Sequence, residues 1–324
     1  MQLRKLLAAG VGALAGLSLL AGGASAESRI TLKSAKSTSS YYVMMVQLAE
    51  MLKDASGGDI LPTVEESQGS VQNVKESKVR PGNFFFTSPP SLLAAAREGR
   101  KPFEGESFDT ARTLFVMPFV TIHFVVREDA EVATLSDLAG KDFIAGGKGS
   151  FCERRAKSIL DALELTDKID LVDVELDAAA PAVRNAKVDG FVTCSSHPTP
   201  GLVELATTTP VEVLSLTAEE RQTIVELDPL SGPVTIGAGT YKGQDREVST
   251  VGVPVGGYGT AGMDEEVAYF LTKTFWEWKD RLAGENPWWD GVTVDLLSQM
   301  GAPLHPGARR YYEEQGIDLP DALL

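Results

Sequence analysis

Ser28-Arg29-Ile30-Thr31-Leu32-Lys33-Ser34-Ala35-Lys36-Ser37-Thr38-Ser39-Ser40-Tyr41-Tyr42-Val43-Met44-Met45-Val46-Gln47-Leu48 passes from one hydrophobic period to another within a short span. Ile30 and Leu32 alternate with polar neighbours, so residues 27–34 are expected as a strand with one buried face. Val43, Val46, Leu48, Met51 and Leu52 recur at helical spacing and predict an amphipathic helix over 41–55. The hydroxyl-rich run from Ser37 to Ser40 lies between them and supplies N-cap residues.

The same unit repeats outward. Strands are expected at 61–65 and 83–87, with helices at 71–78 and 91–97 after them. A second round follows a long apolar strand at 115–126. It comprises a short helix at 135–138, strands at 142–145, 171–175 and 190–194, and helices at 152–163, 178–187, 201–206 and 218–227. A strand at 250–255 precedes helices at 264–281, 292–300 and 306–315. Strand–helix alternation implies right-handed crossovers and a mostly parallel sheet. The fold class is therefore α/β. At this length two cores are the natural expectation. Lobe 1 is expected at 27–122 and 251–324, lobe 2 at 123–250, with a ligand cleft between them.

Residues 1–26 are expected to be a signal peptide. Arg4 and Lys5 precede an apolar run over 6–20, and Ala24-Ser25-Ala26 gives a small-x-small cleavage pattern near Ala26. An exported, periplasmic protein follows. Hydrophobic residues make up 43% of the chain, enough to build packed cores. The formal charge is −15, and removing Arg4 and Lys5 takes it to −17. Such a surface repels nucleic acid and anionic lipid, so neither is an expected partner. An anionic ligand would need a local cluster of donors to hold it against that field. Three histidines and two cysteines show no metal-ligand spacing, and no cofactor is signalled.

In open α/β sheets ligands sit where strand ends turn into helix starts. Three such turns share a Gly, Ser and Thr composition: 34–41, 67–73 and 146–152. From them the candidate ligand-binding residues are Lys36, Ser39, Ser40, Tyr41, Gln68, Gly69, Ser70, Lys148, Gly149, Ser150 and Phe151. Thr87, Ser88, Thr193 and Ser195 join them from other strand ends. Glycines admit a ligand to the backbone, hydroxyls donate, and helix starts favour a carboxylate. Taken singly, each turn is also simply a capped strand-to-helix connection. Lys36 and Lys148 can be solvated loop lysines, or they can face each other across the cleft and neutralise carboxylates, one from each lobe. Of the arginines after the third turn, Arg155 is expected on the outer face of its helix.

Cys152 opens a helix, and Cys194 ends a strand expected beside 142–145. An exported chain with two cysteines points to a disulfide. The competing reading is a thiolate at the helix start with His197 as its base, which would make an enzyme. Phe275, Trp276, Trp278, Trp288 and Trp289 read as core, or else as a docking patch for a membrane partner.

Ser39-Ser40-Tyr41-Tyr42, the run from Glu65 to Asn73, Gly149-Ser150, Glu204-Leu205-Ala206-Thr207-Thr208, the run from Ala238 to Gln244, and Leu304 to Tyr312 occur in order. Together they resemble the TAXI family of substrate-binding proteins of TRAP (tripartite ATP-independent periplasmic) transporters, across essentially the whole exported chain. The resemblance implies a type II periplasmic-binding fold that closes on its ligand and delivers it to transporter membrane subunits. It also implies ligands such as glutamate, glutamine or 2-oxoglutarate. The family's first turn usually reads Gly-Gly-Thr-Tyr-Tyr, whereas Thr38 and Ser39 stand on its glycines here. Lys36 replaces a small polar residue, and Lys148 stands where proline is common. The function expected is therefore binding of a small carboxylate by a monomeric, non-enzymatic periplasmic protein. The alternatives are a ligand-presenting subunit of a sensory system and a thiol-dependent enzyme.

Overall fold

The computed structural model describes residues 28–80 and 82–324. The expected signal peptide and its cleavage point lie outside the described residues. The first half of the molecule is built from β1 (Ser28–Lys33), α1 (Ser40–Ala55), β2 (Ile60–Glu65), α2 (Ser70–Val79), β3 (Phe84–Ser88) and α3 (Pro90–Arg97). β4 (Ala111–Arg127) then leads into β5 (Asp142–Ile144), α4 (Phe151–Ala162), β6 (Asp170–Leu171), α5 (Ala179–Arg184), β7 (Gly190–Ser195), α6 (Pro200–Thr208), β8 (Val211–Val213), α7 (Ala218–Leu227) and β9 (Gly232–Ile236). β10 (Val248–Thr260) returns the chain to the first half, where α8 (Glu265–Glu285) and α9 (Pro306–Glu314) complete it.

The strands run in the order β2-β1-β3-β10-β4-β7-β5-β6, with β8 on β4 and β9 on β10. The result is a two-lobed α/β fold on a curled mixed sheet. Only its two flanks are parallel, through β2, β1 and β3 on one side and β7, β5 and β6 on the other. The centre is antiparallel, which corrects the expectation of a mostly parallel sheet. β4 carries the chain out of the first half and β10 carries it back, so two long strands that share this path must run in opposite directions. Pro254 lies where the register of that pair shifts, as a residue without an amide donor requires.

Each helix buries one stripe. Met44, Met45, Leu48, Met51 and Leu52 on α1 are all buried at helical spacing. Trp289 is fully buried and donates from its indole to Gln47 Oε1 at 3.1 Å. Phe275 stacks on Phe115 with ring centroids 4.0 Å apart. Phe275, Trp288 and Trp289 are core side chains, each contributing about 1.5–3 kcal/mol by leaving water. A second cluster under β7, α5 and α6 gathers Val183, Phe191, Leu202 and Leu205. Residues 294–299 form a 3-10 turn rather than the expected α-helix, and the expected strand over 171–175 shortens to Asp170–Leu171.

Candidate functional site

The carboxyl ends of β1, β2, β3, β5 and β7 face one cavity of about 90 Å³, with Val120 of β4 and Val255 of β10 contributing to its wall. The occupant is therefore small.

Three helix starts converge there. After β1, Ser39 caps α1 by accepting from the Tyr41 amide at 3.3 Å. After β5, Ser150 caps α4 by accepting from the Glu153 amide at 3.1 Å. After β2 the chain turns at Gly69, whose φ of 97° and ψ of −165° suit glycine alone. With glycine at that position, α2 has no side-chain cap among the described residues. The amides of its first turn, at Ser70, Val71 and Gln72, are thus left for another acceptor. Gly147 is needed for a different reason. A Cβ there would lie 2.4 Å from Leu176 Cα, and Leu176 is part of the cavity wall.

Of the residues singled out in the sequence, Lys36, Ser39, Tyr41, Gln68, Gly69, Ser70 and Thr87 line this cavity from the first half. Ser150, Phe151, Thr193 and Ser195 line it from the second. Ser40, Ser88, Lys148 and Gly149 lie outside the lining. The Ser40 hydroxyl is turned onto Ser195 Oγ, and Ser88 Oγ donates to the Pro89 carbonyl. Lys148 is exposed on its turn, its amide tied to the Val174 carbonyl, so it does not face Lys36. Lys36 Nζ instead pairs with Asp177 Oδ2 of the opposite half at 3.3 Å. Positive charge at the cavity is therefore a single, partly compensated lysine rather than a facing pair. Lys33 and Arg80 are committed to Glu65 and Glu76. The Arg80 hydrogen bond holds the Glu65 carboxyl below the usual carboxylate range.

Tyr41 packs into the wall and donates its hydroxyl to the Pro118 carbonyl; burial pushes its ionisation far up, so it stays a neutral donor. Cys152 and Cys194 are bridged, with Cα atoms 5.5 Å apart, because β5 and β7 lie side by side and bring α4 onto the end of β7. Arg155 does not face outward as expected. It is buried and pairs with Asp228 at 3.1 Å, while Arg154 donates to the Lys101 carbonyl. Sequence reasoning did not select Ser34, Thr38, Asn73 or Leu176, which also line the cavity. Ser34 and Asn73 stand within the turns quoted for their composition, which is the signal that could have found them. Among the described residues no group of three or more His, Cys, Asp or Glu could hold a metal.

A family model described as the NMT1-like family matches residues 32–316. Among solved structures the chain is similar to the periplasmic binding protein BugD, at 14% identity and a TM-score of 0.55, over 91% of this chain and 99% of that one. It is similar to MatC from Rhodopseudomonas palustris with bound malate, at 16% identity and a TM-score of 0.55, over 89% and 97%. A second R. palustris protein, solved with adipate, gives 16% identity and a TM-score of 0.54 over 88% and 92%. At these identities the likeness is one of fold.

Proposed function

The chain belongs to the NMT1-like family, and from that premise we propose that it is a periplasmic solute-binding protein of the TAXI type. In this reading it captures a small carboxylate, such as glutamate, 2-oxoglutarate or a related organic acid, and delivers it to TRAP transporter membrane subunits. The observation that carries the reading is the uncapped start of α2, aimed at a small cavity that two further helix starts share. A carboxylate placed there would accept from the amides of 70–72, with the helix dipole worth about 0.3–1 kcal/mol at an exposed end and more when enclosed. Ser39, Ser70, Thr87, Ser150 and Thr193 would add neutral donors, and Tyr41 and Phe151 would cover apolar carbons. The malate and adipate held by the two R. palustris proteins support an organic acid of this size.

We divide the lobes where β4 and β10 cross, near residues 122 and 251, and expect the protein to work as a monomer. Binding rather than catalysis is the role proposed. The thiol alternative lacks a nucleophile, because both cysteines are bridged. A thermal-shift screen of mono- and dicarboxylates, oxo acids, amino acids and sugars tests the reading. A ligand at a hundred times its Kd should stabilise the fold by about 2.7 kcal/mol. Stabilisation by sugars alone, with every acid silent, would reject it.

A further inference from the structure

Asn73 lies on α2, one turn beyond Ser70, is 1% exposed and lines the cavity. Its amide nitrogen donates to two main-chain carbonyls, Ser34 O at 2.8 Å and Thr87 O at 3.4 Å. Carbonyl oxygens only accept, so turning the amide over would set oxygen against two oxygens. The orientation is thereby fixed, and Oδ1 is left as an acceptor. Among the described residues nothing donates to it, and the Ser34 hydroxyl, also buried and lining the cavity, has no partner either. Buried polar atoms are nearly always paired, so two unpaired ones on one cavity wall call for an occupant.

The chemistry wanted here is opposite to that of the helix starts. Those offer N–H groups and take an anion, whereas an amide oxygen needs an incoming donor. We infer that the ligand carries, besides its carboxylate, a hydroxyl or ammonium group that donates to Asn73 Oδ1, with Ser34 Oγ as a second partner. This rests on the carboxylate reading given above and narrows it. The occupant is a hydroxy acid or amino acid, and an unsubstituted dicarboxylate or an oxo acid of the same length leaves the acceptor bare. A site built around a polar group rejects analogues that lack it far more strongly than it rejects a change in apolar bulk.

Titration calorimetry of the exported protein with matched acids tests this. One set is succinate, malate and aspartate; the other is glutarate, 2-oxoglutarate, 2-hydroxyglutarate and glutamate. The best donor-bearing acid should bind roughly tenfold or more tighter than the donor-free acids of its length. Asn73→Ala should bring that ratio within about twofold, by removing the acceptor whose unmade bond sets the difference. Because that variant also loses two bonds to the main chain, Ser34→Ala is measured beside it. The Ser34 hydroxyl makes no bond within the protein, so the fold should hold while the preference shrinks. Equal binding of donor-bearing and donor-free acids overturns the inference and leaves the carboxylate reading intact. No binding by any acid overturns both.

Discussion

Lys36 and Lys148 have the same side chain and a similar loop setting, yet only one reaches the cavity. Lys36 is about one-fifth exposed and spans to Asp177, whereas Lys148 is open to solvent. Since Asp177 already offsets much of its charge, Lys36→Ala should weaken carboxylate binding by about 1 kcal/mol, some fivefold, and no more. Lys148→Ala should leave the affinity within a factor of two, and equal losses in both variants would restore the facing pair. His123 carries a prediction about pH. The Thr199 amide donates to the Tyr241 hydroxyl, which donates to His123 Nε2, while Nδ1–H of the same ring donates to the Thr121 carbonyl. Burial, helped by the nearby His197, pushes the His123 pKa from its ordinary 6.5 down to about 3. In that window the unfolded chain takes up a proton that the native ring refuses, so stability falls as pH drops from 6.5. The slope is about 1.4 kcal/mol per pH unit for one full proton. His197 and His305, both lowered by burial, act in the same direction. Carboxylates lowered in the fold, such as Glu65 beside Arg80, add a slope of the same sign toward pH 4.5, but it is common to the native protein and a His123 variant and cancels in their comparison. Urea unfolding between pH 4.5 and 6.5 should therefore show a shallower slope for His123→Gln, and identical slopes would refute the assignment.

At the scale of elements, the start of α2 is the sharpest test. A Cβ at Gly69 would meet nothing within 4 Å, so Gly69→Ala should cost only backbone strain, about 1–3 kcal/mol of stability. The strain would be relieved by moving the amides of 70–72, so affinity should fall more than stability. Retained affinity in a destabilised variant would mean that these amides do not hold the ligand. The disulfide closes 42 residues of sequence, and the double variant Cys152→Ser with Cys194→Ser should lose about 4 kcal/mol in denaturant unfolding. Much of this architecture was legible because each element carries its own period. β1 follows from local alternation, α1 from helical spacing and β3 from a short apolar run stopped by Pro89-Pro90, and the cysteine pairing followed from the expected neighbouring strands. The antiparallel centre was not legible, since pairing between β4 and β10 joins residues more than a hundred positions apart. β8 and β9 were missed as well. They are short edge strands, only partly buried, standing behind Pro210 and at Gly232-Pro233. The turns that form the site could be placed from strand ends alone. The outward direction of Lys148 could not, nor could the importance of Ser34 and Asn73, which lies in hydrogen bonds that other segments leave unmade.

At the scale of the molecule, the contacts across the cavity decide how it works. Ser195 from β7 receives the Ser40 amide at 3.1 Å and shares hydroxyl contacts with Ser39 and Ser40. The Gly201 amide donates to the Thr38 carbonyl at 2.9 Å, and Lys36 reaches Asp177. All three contacts gather the turn that leads into α1 onto the second half, so the arrangement is a closed one. Arg154 on the Lys101 carbonyl and the Trp288 indole on the Pro198 carbonyl add two further contacts between the halves; the chain itself crosses in β4 and β10, whose register shift at Pro254 adjoins cavity residue Val255. A bulge next to the site is where two strands can bend without breaking their outer pairing. We therefore predict that ligand-free protein samples an open form and that ligand shifts it to the closed one. Closed, a chain of this size should have a radius of gyration of about 19 Å. Small-angle scattering should give a larger value without ligand and approach that figure on saturation. Ser195→Ala removes the hub of the hydroxyl cluster while leaving the uncapped start of α2 untouched. It should thus weaken binding chiefly through faster dissociation, and the scattering change should require more ligand to complete. A radius that does not respond to ligand, in either protein, would mean that the cavity fills without closure and that the contacts at Ser195 are permanent packing.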